Sequence, residues 1–493
     1  MAVGAGILSI ITESLYDKPI VVFREYVQNS ADAFLRVETQ CGNTNHNLKS
    51  LIWRSGDDLL FLDNGSGIDR KSFVSTMKNI ATSDKKRKIN MGYKGIGRLS
   101  GFSYCNELEL INICSYRENK FQKYTLHREK FDKIKNSEKF STMEFDELLD
   151  EISIFSDGSV SNENTTIKTI IKDYIEEDYS DMFSGRDTGF LVILRGISSV
   201  LSAAINDADF INKLSWLLPV KFKDELLSDT NTGNLFVDLV SPEDPNILPI
   251  KAYSVIYNKK LIERPIEINK LRTYTCIRKY NYAIGFHSFE RDRLTIKKSN
   301  DFCGIRIYID NMLLCDENEL LPALIQFGLI ERTINELTQT AKSIGAMIYI
   351  TDKVNIVANA RRTFIDVADT AAVEFLTQMA IFIEEVYQAR YALSKYYNAK
   401  TSHEKDEKKL SALRERAICT LQDLAKKEVD ISIAEENASN FNSLTIPEKK
   451  RVIKKKINRE LSKNIDLFME QKSEFELDTI YKDFVIWLTA TNS

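Results

Sequence analysis

Glu25, Asn29 and Asp32 stand at i, i+4 and i+7 in the stretch VFREYVQNSADAF. On a helix that spacing lays a carboxylate, an amide and a second carboxylate along one stripe. The opposite stripe, with Val21, Val22, Val27 and Phe34, is apolar, and on an isolated helix the polar stripe would simply face water. Two later stretches change that expectation. LLFLDNGSGI, residues 59 to 68, reads as a strand ending in a turn. Asp63 is a fixed acceptor at the strand end, and Gly65 and Gly67 let a ligand ring approach the backbone. MGYKGIGRLSGF, residues 91 to 102, is a glycine-punctuated loop of the kind whose backbone N–H groups cradle phosphate oxygens. Each stretch alone is a weak signal; a hairpin turn or a solvated helix would explain it.

In this order the three resemble the GHKL ATP-binding family, and within it the Hsp90-like ATPases. Glu25, Asn29, Asp32 and Ala33 fit its Glu-x-x-x-Asn-x-x-Asp-Ala motif, Asp63, Gly65 and Gly67 its Asp-x-Gly-x-Gly, and Gly92, Gly95 and Gly97 its Gly-x-x-Gly-x-Gly. The resemblance implies ATP and Mg²⁺ as ligands. Glu25 would be the general base for the attacking water, and Asn29 would offer its carbonyl oxygen to Mg²⁺. Asp63 would accept the adenine amino hydrogen. The loop of Gly92, Lys94, Gly95, Ile96 and Gly97, with Lys94 or Arg98 as its cation, would close over the phosphates. Where the family has Gly-Thr before a strand, this chain has Thr188, Gly189 and Phe190: Phe190 occupies the threonine position, and Thr188 is the candidate substitute.

The resemblance extends loosely to a ribosomal-protein-S5-like middle domain through Gly304 to Leu324. It also points to Asn359-Ala360-Arg361-Arg362, where Arg362 would reach the γ-phosphate. A surface arginine pair opening the next helix is the alternative, and Thr363 stands where the family has Glu. The expected fold is α/β. Residues 1–205 would form a GHKL (Bergerat) sandwich with helices on one side of a mixed sheet, and 206–368 an S5-like middle domain with strands at 235–240, 252–257, 282–289 and 304–309. Residues 369–493 would be a helical C-terminal region for dimerisation or partner binding. The acidic, irregular composition from 131 to 177 predicts a surface insertion.

The remaining composition narrows the function. With 493 residues, 43% hydrophobic and 28% charged, the chain has room for several domains. Its 67 basic and 71 acidic residues leave net −4, which neither requires nor excludes a nucleic-acid partner. Seven cysteines without a Cys-x-x-Cys pair argue for reduced thiols in the cytoplasm. The four histidines are scattered, and no apolar run approaches the ~20 residues of a bilayer span. The first nineteen residues, acidic at Glu13 and Asp17, read as mature protein whose apolar positions pack beside the Glu25 helix. The basic tract 447–463 can contact nucleic acid, although a solvated face is the alternative. The expected function is an ATP-gated homodimeric clamp acting as a protein-remodelling chaperone on a protein client. The alternatives are a MORC/MutL-like nucleic-acid clamp and a nucleotide-switched sensor or scaffold subunit of bacterial antiviral defence. A sensor kinase is disfavoured, since the motifs begin too near Met1 for an upstream phosphoacceptor module.

Overall fold

The computed structural model describes residues 5–9, 18–41, 47–79, 97–158, 166–175, 179–222, 252–264, 273–280, 283–290, 304–309, 311–342, 344–350, 370–401 and 407–426. They fall into two units, Met1–Phe222 with Lys251–Arg264, and Lys223–Ile250 with Pro265–Ser493.

In the first unit a single turn, α1 (Gly6–Ser9), precedes the long helix α2 (Ile20–Cys41). Pro19 stands just ahead of α2, where its fixed φ and missing N–H suit a helix start. The apolar positions Val22, Phe23, Tyr26, Val27, Phe34 and Val37 are buried. Strands β1 (Lys49–Ser55) and β2 (Asp58–Asp63) form a hairpin; after α3 (Phe73–Lys78) come β3 (Cys105–Ser115) and β4 (Lys120–His127). Helices α4 (Arg128–Lys135) and α5 (Phe145–Ile152) lead to β5 (Ser153–Asp157), and α6 (Ile167–Lys172) leads to β6 (Gly189–Ile197). Helices α7 (Ser199–Ile205) and α8 (Phe210–Leu217) and the hairpin β7 (Ser254–Tyr257) and β8 (Lys260–Ile262) complete the unit. The result is an eight-stranded mixed sheet in the order β5-β4-β3-β6-β2-β1-β7-β8.

Strand alternation sorts this sheet into two faces. Leu60, Leu62, Ile111, Ile113, Leu191 and Ile193 pack with Ile167 and Ile171 of α6. On the other face Phe61 meets Phe23 and Tyr26 of α2, with ring centroids 5.4 and 4.8 Å apart. Helices therefore cover both faces, not one as expected. The segment expected as a surface insertion is also structural: α5 buries Phe145, Leu148, Leu149 and Ile152, and β5 is an edge strand of the sheet. The α1 turn packs on α5, with Ala5 N–H bonded to Met143 O at 2.9 Å. The strand expected at 252–257 in a middle domain instead pairs parallel with β1, Lys49 opposite Ser254, so the first unit extends past residue 205.

The second unit holds β9 (Thr273–Tyr280), β10 (Ala283–Glu290), β11 (Gly304–Ile309), β12 (Met312–Asp316), α9 (Glu317–Gln326), α10 (Ile334–Ala341), β13 (Ile344–Ile350), α11 (Thr370–Thr401) and α12 (Glu407–Lys426). Its five-stranded sheet runs β12-β11-β13-β10-β9, with β11 parallel to β13. Phe375, Leu376, Met379, Phe382, Ile383 and Val386 of α11 share one core with Ile305, Ile307 and Ile348 of the sheet. The boundary expected at 368/369 is thus not a boundary of packing, because the apolar stripe of α11 needs a partner and the sheet face supplies it. Arg332 donates to Glu384 (Nε to Oε2, 2.9 Å) and lies 3.8 Å from the Tyr387 ring centroid, tying α11 to the loop before α10. Among the described residues no helix is long and apolar enough to cross a membrane. The strand expected at 235–240 and the basic tract 447–463 lie outside the described residues.

Candidate functional site

The polar stripe of α2 points inward. Asp32 is fully buried and Glu25 is 9% exposed, while Asn29 is half-buried. Such burial is unusual for carboxylates on a helix that would otherwise turn them to solvent. Arg24 lies beside Glu25, Nη2 to Oε1 3.4 Å. Gly97, the described end of the glycine loop, lies against the same carboxylate: a Cβ added there would stand 2.2 Å from Glu25 Oε2. With the Glu25 carboxylate where it stands, a residue without a side chain is needed for the end of the loop to come this close. Tyr26, the next residue of α2, fastens that end in place. Its hydroxyl accepts from Gly101 N (3.0 Å) and donates to Arg98 O (3.1 Å). Burial pushes this phenol well above its ordinary pKa, so it keeps its proton.

Asp63 closes the second side of the site. It is 5% exposed, and its two oxygens accept from Gly65 N–H (Oδ1, 2.9 Å) and the Ser30 hydroxyl of α2 (Oδ2, 2.9 Å). Burial raises its pKa to about 6, against the lowering pull of Gly65 N–H, Ser30 and Arg36. Ala33 explains its own place in the first motif: a Cβ at Gly65 would meet Ala33 Cβ at 2.6 Å, so small residues on both sides bring the turn against α2. Gly67 has φ +61°, a left-handed conformation that glycine adopts without strain. The next residue is pinned from the sheet. Asn112 of β3, fully buried, accepts from Ile68 N (Oδ1, 2.8 Å) and donates to Ile68 O (Nδ2, 2.7 Å).

Strand register lines these residues up. Asp157, Gln122, Asn112, Phe190, Asp63 and Ser50 are successive cross-strand partners from β5 to β1, one row on the face covered by α2. Gln122, Asn112, Asp63 and Ser50 are all buried, a polar row across the sheet. Thr188 is placed beside this row but is already engaged, donating from Oγ1 to Gly65 O at 2.8 Å. Of the residues expected in the site, Glu25, Asn29, Asp32, Asp63, Gly65, Gly67, Gly97 and Thr188 belong to the first unit. Gly92, Lys94, Gly95, Ile96 and Arg362 lie outside the described residues. The sequence reasoning did not single out Ser30, Tyr26 or Asn112. Asn112 had a visible signal, an amide between Ile111 and Ile113 in the strand-like run LELINI.

Residues 18–159 match the family of histidine kinase-, DNA gyrase B- and HSP90-like ATPases. The matched stretch lies within the first unit, contains Glu25, Asn29, Asp63 and Gly97 and ends before Thr188. No curated protein matches the chain.

Among the described residues no group of three His, Cys, Asp or Glu side chains could hold an ion. Mg²⁺ bound largely by phosphates and water needs little more than one protein oxygen, and Asn29, half-buried one turn from Glu25, can provide it.

Proposed function

We propose that the first unit binds Mg²⁺-ATP and hydrolyses it slowly. The observation that carries this is the placement of two buried acceptors with different surroundings along α2: Glu25, on the helix itself and against the end of the glycine loop, and Asp63, at a strand end bonded to Ser30 of the helix. Asp63, ionised at neutral pH, accepts the base amino hydrogen. Asn29 contributes an oxygen to Mg²⁺, which neutralises phosphate charge when bound. Glu25 orients the water and takes its proton, while the loop of Gly92, Lys94, Gly95, Ile96 and Gly97 surrounds the phosphates with N–H donors.

In this proposal the chain works as an Hsp90-like homodimeric clamp that closes on ATP, admits Arg362 to the γ-phosphate and remodels a bound protein client. Support comes from the family match over the ATPase segment together with a second α/β unit downstream. Calorimetric titration with a non-hydrolysable ATP analogue, followed by light scattering, tests both levels. Binding that drives or compacts a dimer upholds the clamp. Binding without any change of mass or shape leaves an ATP-binding subunit and removes the clamp. No binding removes the whole proposal. Glu25→Ala is expected to keep binding and lose turnover, and retained turnover would displace Glu25 as the base.

A further inference from the structure

Phe190 stands directly opposite Asp63 in the β2–β6 ladder, so the two side chains leave the same face of the sheet as near neighbours. The flank of Asp63 toward β1 is closed, with Ser30, Ala31 and Ser50 all buried. The flank toward β6 is open: Phe190 and Thr188 are only half-buried, although β6 is an interior strand. The Phe190 ring reaches Phe73 of α3, centroids 6.4 Å apart, forming an apolar wall beside a carboxylate.

Three hydroxyl and amide donors described around this open flank, on Thr188, Ser30 and Asn112, are already engaged. Thr188 gives its single hydroxyl proton to Gly65 O (2.8 Å), and Ser30 lies in donating position to Asp63 Oδ2 (2.9 Å). Asn112 Nδ2 donates to Ile68 O (2.7 Å) and faces Cys114 Sγ (3.4 Å). A purine beside Asp63 thus meets an acceptor for an exocyclic amino group and, next to it, an aromatic ring that neither donates nor accepts. Resting on the nucleotide reading above, we infer that Phe190 is a specificity-determining residue that restricts base recognition to the amino group and leaves the adjacent ring nitrogen, N1, unread.

Two nucleotide analogues separate these readouts in equilibrium binding to the full chain. Inosine triphosphate presents an oxo group where adenine has its amino group. It is expected to bind at least ~30-fold more weakly than ATP, since a lone pair then faces the Asp63 carboxylate. In 1-deaza-ATP a C–H replaces N1, and wild-type protein is expected to bind it within about threefold of ATP. Phe190→Thr, which puts a hydroxyl at the open flank, is expected to create a preference for ATP over 1-deaza-ATP of about tenfold, the value of one hydrogen bond of ~1.4 kcal/mol. Phe190→Leu, a purely apolar replacement, should stay indifferent to N1 and serves if the threonine variant does not fold. Tenfold or greater discrimination against 1-deaza-ATP by the wild type overturns the role of Phe190. If Ser50→Ala abolishes that discrimination, the reader is on β1 instead. A folded Phe190→Thr that gains no preference overturns it too. Failure to bind any of the three nucleotides overturns the underlying nucleotide reading.

Discussion

Gly97 and Glu25 are in such close contact that a single added carbon on the glycine would stand 2.2 Å from Oε2 and 3.5 Å from the glutamate's own Cβ. The atom in the way is the end of a flexible side chain, so Gly97→Ala can be accommodated by turning the carboxylate aside. The expected outcome is a folded protein whose melting temperature moves by no more than a few degrees. It should bind ATP within about threefold of wild type and hydrolyse it roughly a hundredfold more slowly, the scale of a displaced general base. Steady-state turnover beside equilibrium binding checks this, and unchanged turnover would mean that Glu25 does not act from the position seen here.

Asp63 gives a pH dependence with two opposite signs. Its folded-state pKa of about 6 lies above its ordinary 3.8. The folded protein therefore holds this proton more tightly than the unfolded chain between those values, and this group's contribution to stability falls as pH rises through that window. At neutral pH the buried charge costs about 3 kcal/mol by the usual conversion. Asp63→Asn removes that cost, since an amide oxygen can still accept from Gly65 N–H and Ser30 can turn its proton to Tyr26 O, 3.2 Å away. The variant is expected to match or exceed wild type in melting temperature at pH 7 and to lose nucleotide binding. Wild-type affinity should weaken as pH falls below about 6, because the protonated acid no longer accepts freely. Stability and affinity moving together in the variant would make Asp63 a structural residue.

The helix and the turn that carry the candidate site residues are legible because they are local. The spacing from Glu25 to Asp32 is a helical periodicity, and Asp63, Gly65 and Gly67 are a strand end and its turn; each needs only a few neighbouring residues to be read. Thr188 and Phe190 show the limit. Their identities raised the right question, but only the register, with Phe190 opposite Asp63, and the bond from Thr188 to Gly65 O answer it. Asn112 and Tyr26 act on backbone 44 and 72 or more residues away in sequence, through hydrogen bonds that no local pattern announces. The extent of the first unit is non-local in the same way. Lys49 pairs with Ser254 across the whole of the first unit, and a short β run such as SVIY looks the same whichever sheet receives it.

Asn112 supplies a third prediction. Both polar atoms of its amide are bonded to one residue, Ile68, in a fully buried setting. Asn112→Asp keeps the shape and the acceptor but sets a carboxylate oxygen against Ile68 O. Repulsion and the burial of a charge are expected to destabilise the first unit by about 2–4 kcal/mol. Asn112→Leu, which leaves both Ile68 groups without partners, should cost about 1–3 kcal/mol. The turn through Gly67 loses one of its two bonds in Asn112→Asp and both in Asn112→Leu, so the affinity for ATP is expected to drop more than the turnover of bound ATP. Urea midpoints with binding and single-turnover rates distinguish this from general unfolding, which would lower both alike.

Arg264 is fully buried and directs its guanidinium at the end of α8, donating to Ser215 O (Nε, 3.3 Å) and Leu218 O (Nη2, 2.8 Å). The carbonyls at a helix C-terminus carry partial negative charge and lack partners within the helix, so a cation there satisfies both needs. Helix α8 in turn packs on α2 through Phe210 and Phe23, ring centroids 5.0 Å apart, two residues from Glu25. Arg264→Met keeps most of the buried volume and removes the donors. Because a chain of two units need not unfold in one step, the informative measurement is local. Amide hydrogen exchange in α8 and through Phe222 is expected to accelerate at least ~30-fold, corresponding to about 2 kcal/mol of lost local stability, while β3 and β6 at the centre of the sheet stay protected. Equal acceleration in the central strands would mean that Arg264 supports the whole unit, and no acceleration in α8 would mean that the helix end holds without it.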